Sequence, residues 1–266
     1  VTAAPSSIQA FTGWKKSPSS GGLPKNKLGW AWVPNCSDVD NAESLTLGAG
    51  MLTAMGVTDP NTVAATPPPL PANPGATLEN WVLSELDRQV PRLGPARAWD
   101  VRRGQIITGF GQYQHLSAPD AAVTANPTLR VSIGRDYLIK PDVTVGLRGA
   151  GALNGFPFLH AAVSCKWTIR SDRVQNVRHE FNQMIRHRRG RQPHLVTVTA
   201  EPLPSRLASI ARGTGEVDAT YHIAFDELQA AVNASSNTAQ QDAWAEVVEQ
   251  GRLKSFSDLA GDLTRW

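Results

Sequence analysis

The fourteen-residue run "FPFLHAAVSCKWTI" at 156–169 most limits what this chain can fold into. It reads as a buried strand, yet one charge, Lys166, stands inside it. Side chains alternate between the two faces of a strand. Ser164 and Lys166 therefore share one face, and Cys165 points to the other as a small core residue. Directly after the run comes "RSDR" at 170–173, two cations bracketing an anion.

The flanking segments supply partners for that strand. Further strand material lies at 137–147, 194–201 and 219–225, with 106–116 ambiguous. Val174, Val177, Phe181, Met184 and Ile185 form a helical stripe in 172–189, and a second helix is expected over 226–250. Leu78, Val82 and Leu86 recur at i, i+4, i+8 with Trp81 alongside; Thr77 is the expected N-cap and Pro91 the stop. A short helix is expected over 44–56. Strands interleaved with helices predict an α/β fold, a mixed central β-sheet flanked by helices. Residues 1–75 are loop-rich and end in the proline-rich "TPPPLPANPG" at 66–75, so a single domain over 1–266 is expected, with 76–266 as its core.

Composition bounds the rest. With 266 residues and 41 % hydrophobic content the chain can build one substantial core or two small ones. No apolar stretch approaches membrane-spanning length, and the N-terminus lacks the basic-then-apolar order of a signal peptide. Cys36 and Cys165 are expected to be reduced, as in a cytoplasmic protein, and no CxxC or Cys/His spacing points to zinc. The net charge of +3 is unevenly spread: residues 166–191 sum to +6 and the remainder to −3. A concentrated basic segment implies a polyanionic partner; the alternative is a solvated helix face.

Asp142, after Pro141 in a strand-like run, and Lys166 near the end of another strand can meet across a sheet. One reading is a buried ion pair, which is weak evidence for stability. The other is a metal site. A hard cation such as Mg²⁺ takes one or two carboxylates plus waters, and a nearby lysine orients a water or neutralises developing phosphate charge. Serine stands at 164 where a carboxylate would complete the pattern Pro-Asp…(Asp/Glu)-x-Lys. Glu180, at the border of the inward face of the next helix, and Glu79, near the start of the earlier helix, are the candidate replacements.

"PD" at 141–142, "SCK" at 164–166, "RSDR" at 170–173 and Glu180 resemble the CCGG-family type II restriction endonucleases. These are PD-(D/E)xK nucleases whose catalytic glutamate has migrated from the strand to the next helix. The likeness extends through "FLHA" (158–161), "PHLVTVTAEPLPSR" (193–206), "ASIARGTGEVD" (208–218) and "RLKSFSDL" (252–259), and is traceable from about residue 33 onward. It implies a PD-(D/E)xK restriction-endonuclease-like core and Mg²⁺-dependent hydrolysis of double-stranded DNA. Asp142, Lys166, Glu180 and Ser164 would form the catalytic site, with Glu79 as a further acid and Asp142 and Glu180 as the metal ligands.

Base reading follows from the same resemblance. Guanine offers O6 and N7 to an arginine fork, and cytosine offers N4 to an aspartate. Arg170 and Arg173 would take guanines and Asp172 cytosines of a CCGG core. Arg206 and Asp38 (or Asp40 in its place) would read the outer pair, giving GCCGGC cut after the first G. Asn73 is a possible minor-groove contact, and Arg186, Arg188, Arg189 and Arg191 are possible phosphate contacts. The segment between Asp142 and Lys166 is much shorter than in a relative where it joins two dimers, so a homodimer is expected ahead of a homotetramer. The N-terminal 1–75 would add DNA contacts, and the setting would be the prokaryotic cytoplasm. The alternatives are a structure-specific PD-(D/E)xK nuclease of DNA repair and a non-catalytic DNA-binding protein.

Overall fold

The computed structural model describes residues 8–63, 65–133, 137–149, 155–169, 171–212 and 215–265, and the side chains of 130, 133 and 171–173 lie outside the described part. The N-terminal part holds two small antiparallel pairs. β1 (Trp14–Lys16) pairs with β4 (Trp32–Pro34), and between them β2 (Ser19–Ser20) and β3 (Leu23–Pro24) form a hairpin. Six strands make the central sheet: β5 (Trp99–Arg103), β6 (Val143–Leu147), β7 (Phe158–Lys166), β8 (His194–Thr199), β9 (Ala219–His222) and β10 (Leu253–Ser255). Their order is β10-β9-β8-β7-β6-β5. β6 runs antiparallel to both its neighbours, β5 and β7, whereas β7 to β10 run parallel, so the sheet is mixed as expected.

The helices are α1 (Ala42–Ala54), α2 (Pro74–Leu93), α3 (Ser117–Ala125), α4 (Pro127–Ile133), α5 (Ser171–His187), α6 (Pro204–Ala211), α7 (Phe225–Ala234), α8 (Thr238–Glu249) and α9 (Phe256–Arg265). β7 is the innermost long strand and is buried at every residue except its two ends, Phe158 and Lys166. One buried cluster spans the N-terminal part, the sheet and the helices, from Phe11 and Cys36 through Leu86, Val163 and Phe181 to Leu263. At the register shift between β6 and β7, where β7 carries the extra residue His160, Gly146 lets Phe110 pack close. A Cβ there would stand 3.2 Å from the Phe110 ring and 3.4 Å from the Asp100 carbonyl.

Four local expectations are corrected. α2 starts at Pro74, not after Thr77. Asn73 Oδ1 accepts the Ala76 N–H at 3.0 Å, and Pro74 occupies a first-turn position that needs no N–H. Pro91 does not stop that helix, because it sits in the last turn and the chain continues to the cap at Gly94. The ambiguous stretch 106–116 is no strand. Ile107, Phe110, Tyr113 and Leu116 are buried at three-residue spacing, which the 3₁₀ turns Ile107–Gly109 and Gln114–Leu116 satisfy. The helix expected over 226–250 is two helices, the second capped by Asn237 accepting from Gln240 N.

Candidate active site

Antiparallel pairing of β6 with β7 sets Val143 opposite Val163. Asp142, just ahead of β6, is thereby carried to the end of β7 that holds Ser164 and Lys166. Three donors converge on Asp142 Oδ2: the Cys165 backbone N–H at 2.7 Å, Lys166 Nζ at 3.2 Å and Ser164 Oγ at 3.5 Å. The Asp142 carbonyl accepts the Gly104 N–H at 3.1 Å, which ties the site to the end of β5. Asp142 and Lys166 both keep about a quarter of their side-chain surface exposed, so the pair meets solvent rather than lying sealed in the core. Cys165 points inward, and burial, then the Asp142 charge, pushes its thiol well up; it is an inert core residue.

Glu180, on α5, lies within electrostatic reach of this pair. Burial raises its carboxyl above the ordinary range, the Lys166 cation pulls it down and the Asp142 carboxylate pushes it up again. Glu180 therefore shares one electrostatic environment with Asp142 and Lys166. Glu79, Arg103, Gly104, Lys140, Pro141 and Asp142 line a polar cleft beside it. Glu79 is held by a cation: Arg103 donates to its Oε2 through Nε at 2.8 Å and Nη2 at 2.5 Å, and through Nη1 to Asn80 at 2.9 Å. Sequence reasoning missed Arg103 and Lys140; the only signal was "RRG" at the end of β5, itself unexpected.

A second cluster brings together residues distant in sequence. Arg206, in the first turn of α6, donates through Nη2 to Asp38 Oδ2 at 2.5 Å, while its Nη1 lies 3.8 Å from Glu201 Oε1. Glu201 is fully buried. Its Oε2 accepts the Ile169 N–H at 2.8 Å and its Oε1 the Leu203 N–H at 3.2 Å. Burial pushes this carboxyl up to about 7 against the pull of those donors and of Arg206. Sequence reasoning did not single out Glu201. Ile169 is the last described residue before the "RSDR" cluster, so one buried acid links Arg206 to the root of that segment. Trp167 Nε1 donates to the Asn35 carbonyl at 3.0 Å, which joins the end of β7 to the N-terminal part.

The other expected residues fall elsewhere. Arg170 and the side chains of Asp172 and Arg173 lie outside the described residues. The Asn73 side chain is engaged as the cap of α2. Asp40 N donates to Asp38 Oδ1 at 3.1 Å, so Asp38 and not Asp40 meets Arg206. Arg186 lies in the last turn of α5, about 22 Å along the axis from its start at a 1.5 Å rise. Arg188, Arg189 and Arg191 follow it and precede the start of β8, the end of the sheet away from Lys166, which pairs with Thr199 at the other end of β8. The fold does not bring these four arginines to the site.

Residues 146–265 match the family model described as NgoMIV restriction enzyme. Over that segment the chain is similar to the NgoMIV restriction-enzyme family. It holds Lys166, Glu180, Glu201 and Arg206, with Asp142 just ahead of it. The type II restriction enzyme NgoMIV of Neisseria gonorrhoeae is 42 % identical over 180 residues, which cover 59 % of this chain and 63 % of that relative. The chain thus spans less than two thirds of the NgoMIV enzyme's length. The sheet carrying Lys166 is mixed and flanked by helices.

Proposed function

We propose that this protein is a type II restriction endonuclease that hydrolyses double-stranded DNA at a palindromic CCGG-core site, GCCGGC, cutting after the first G. The observation that carries the reading is the convergence of Lys166, Ser164 and the Cys165 N–H on Asp142, with Glu180 beside them, in a chain related to the NgoMIV enzyme.

The donor set suits Mg²⁺. Among the described residues no three Asp, Glu, His or Cys side chains converge as a ready-made cage. Mg²⁺ asks for less: one or two carboxylates, its own waters and the substrate phosphate. Asp142 and Glu180 would hold it, since the bonds to Asp142 all fall on Oδ2 and leave Oδ1 to ligate. Bound there, the ion would supply Lewis-acid polarisation of the phosphate and a more acidic water. The remaining work belongs to the chain. Lys166 holds a positive charge where negative charge develops on the phosphate, and Asp142 keeps that ammonium in place. Ser164 and the Cys165 N–H fix the Asp142 carboxylate in turn.

The Asp38–Arg206 pair supports base reading rather than recognition of DNA shape. An arginine fork and an aspartate side by side match a G·C pair, which offers two acceptors and a donor in the major groove. A palindromic site calls for a twofold dimer, and we propose a homodimer. Digestion of a plasmid of known sequence with Mg²⁺ tests the function: fragments should map to GCCGGC with four-base 5′ overhangs on end sequencing. Fragments mapping elsewhere reject the specificity, and intact plasmid rejects the activity. Sedimentation at micromolar concentration tests the assembly; a tetramer with and without DNA rejects the dimer.

A further inference from the structure

The first 37 residues contain Lys15, Lys16, Lys25 and Lys27 and no aspartate or glutamate. All four lysines are exposed. They flank the hairpin of β2 and β3, whose two-residue turn is Gly21-Gly22, both at positive φ (59° and 81°), the geometry that a tight turn matching strand twist demands. The base of the hairpin is stiff. Lys25 N donates to the Pro18 carbonyl at 2.6 Å, and the Asn26 amide donates to Ser17 Oγ at 2.8 Å and the Trp30 carbonyl at 2.7 Å. The tip stands in open space. A Cβ built on Gly21 or Gly22 meets nothing within 4 Å, and Leu23 beside them is 73 % exposed. A stretch that reads in sequence as flexible loop is thus a pinned, projecting hairpin whose base carries only cationic charge.

Its root decides what it faces. Lys27 N donates to the Val39 carbonyl at 3.0 Å, next to Asp38, whose carboxylate pairs with Arg206. We infer that this hairpin is a DNA-backbone arm, whose lysines grip phosphates of the duplex flanking the six-base-pair site; this rests on the proposed endonuclease function. The four residues 17–20, of which Ser19–Ser20 is strand, reach at most about 13 Å from base to tip. At 3.4 Å per base pair that is about four base pairs. If Asp38 and Arg206 stand over the outer base pair, the arm rises from that point and covers phosphates beyond it. Lysine is a point charge with no fork, so the arm contributes affinity and salt dependence and leaves sequence choice to the base-reading residues.

The test compares the wild type with K16A/K25A/K27A and K16R/K25R/K27R, with Mg²⁺ withheld so that DNA stays intact. Each binds a long duplex centred on GCCGGC and a short one trimmed close to the hexamer, across a range of salt. Each lost phosphate contact lowers the slope of log affinity against log salt by about 0.9. The alanine variant should lose a slope of about 2 to 3 on the long duplex and little on the short one. Its cleavage site in Mg²⁺ and its thermal midpoint should stay those of the wild type, and the arginine variant should keep the wild-type slope. An alanine variant with the wild-type slope, or with equal losses on both duplexes, overturns the arm. A wild type that neither binds nor cuts GCCGGC DNA overturns the endonuclease reading instead, and the arm falls with it.

Discussion

Arg206 donates to Asp38 Oδ2 at 2.5 Å across 168 residues of chain. Free of DNA, each neutralises the other, so the partly buried pair stays ordered without an unmet charge. On the proposed DNA substrate both would turn to one G·C pair. Arg206→Ala should therefore keep the CCGG core and lose the outer base. A good bidentate contact discriminates by roughly 1–3 kcal/mol. The preference for GCCGGC over ACCGGT should fall about 10- to 100-fold, read as relative cleavage rates of two otherwise identical DNAs. An unchanged preference would remove Arg206 from the readout.

Lys166→Ala should cut cleavage by at least about 100-fold, the usual scale for removing one preorganised charge-stabilising group. Binding of the site should change little, because the proposed base contacts are made by other residues. A mobility-shift titration beside the cleavage assay separates the two effects. A variant that still cuts at near wild-type rate contradicts the role given to Lys166.

Glu201 predicts a pH-dependent stability of definite sign. Its carboxyl is raised from 4.5 to about 7 in the folded chain, so the fold holds the proton more tightly than the unfolded chain does. That stabilisation is complete below about pH 4.5 and is lost as pH rises through about 7, a span worth about 3 kcal/mol. Glu201→Gln cannot ionise and should erase this part of the decline in thermal midpoint between pH 5 and pH 8. It also turns an amide toward a backbone N–H that needs an acceptor, so it should cost about 1–3 kcal/mol at pH 5. Because Ile169 hangs on the same carboxyl, cleavage of the CCGG core should lose fidelity in step.

Two buried histidines act in the opposite direction. His160 Nε2 donates to the Leu263 carbonyl at 2.6 Å, and His222 Nδ1 accepts from Ala224 N at 3.2 Å. Burial lowers both from 6.5 to about 4. The unfolded chain takes up these protons first, so their contribution is intact above about pH 6.5 and is lost as pH falls through about 4. Each is worth about 3 kcal/mol at most. Acid unfolding should soften near pH 5, and the double variant H160Q/H222Q should show a flatter acid limb by circular dichroism.

Sequence by itself named the residues of the candidate site. Lys166 in a buried run, a proline-led Asp142 and an inward-bordering Glu180 are local signals, because strand alternation and helical period fix which side chains share a face. The mixed α/β sheet followed from the same periodicities. It could not place 106–116, where three-residue spacing mimics a strand's apolar density, nor the edge strand β5, whose polar sequence carries no burial signal.

Tertiary structure alone decided the pairings. That Arg206 meets Asp38 and not Asp40, that Arg103 occupies Glu79, and that Glu201 is sealed under both Arg206 and Ile169 depend on where separate elements cross. The same is true of Arg186, Arg188, Arg189 and Arg191, which charge alone would assign to DNA and which a helix of five turns carries away from the site. Local patterns specify faces and ends; only the packing of those faces brings distant charges within reach, because electrostatic and hydrogen-bond partners are chosen by distance in space.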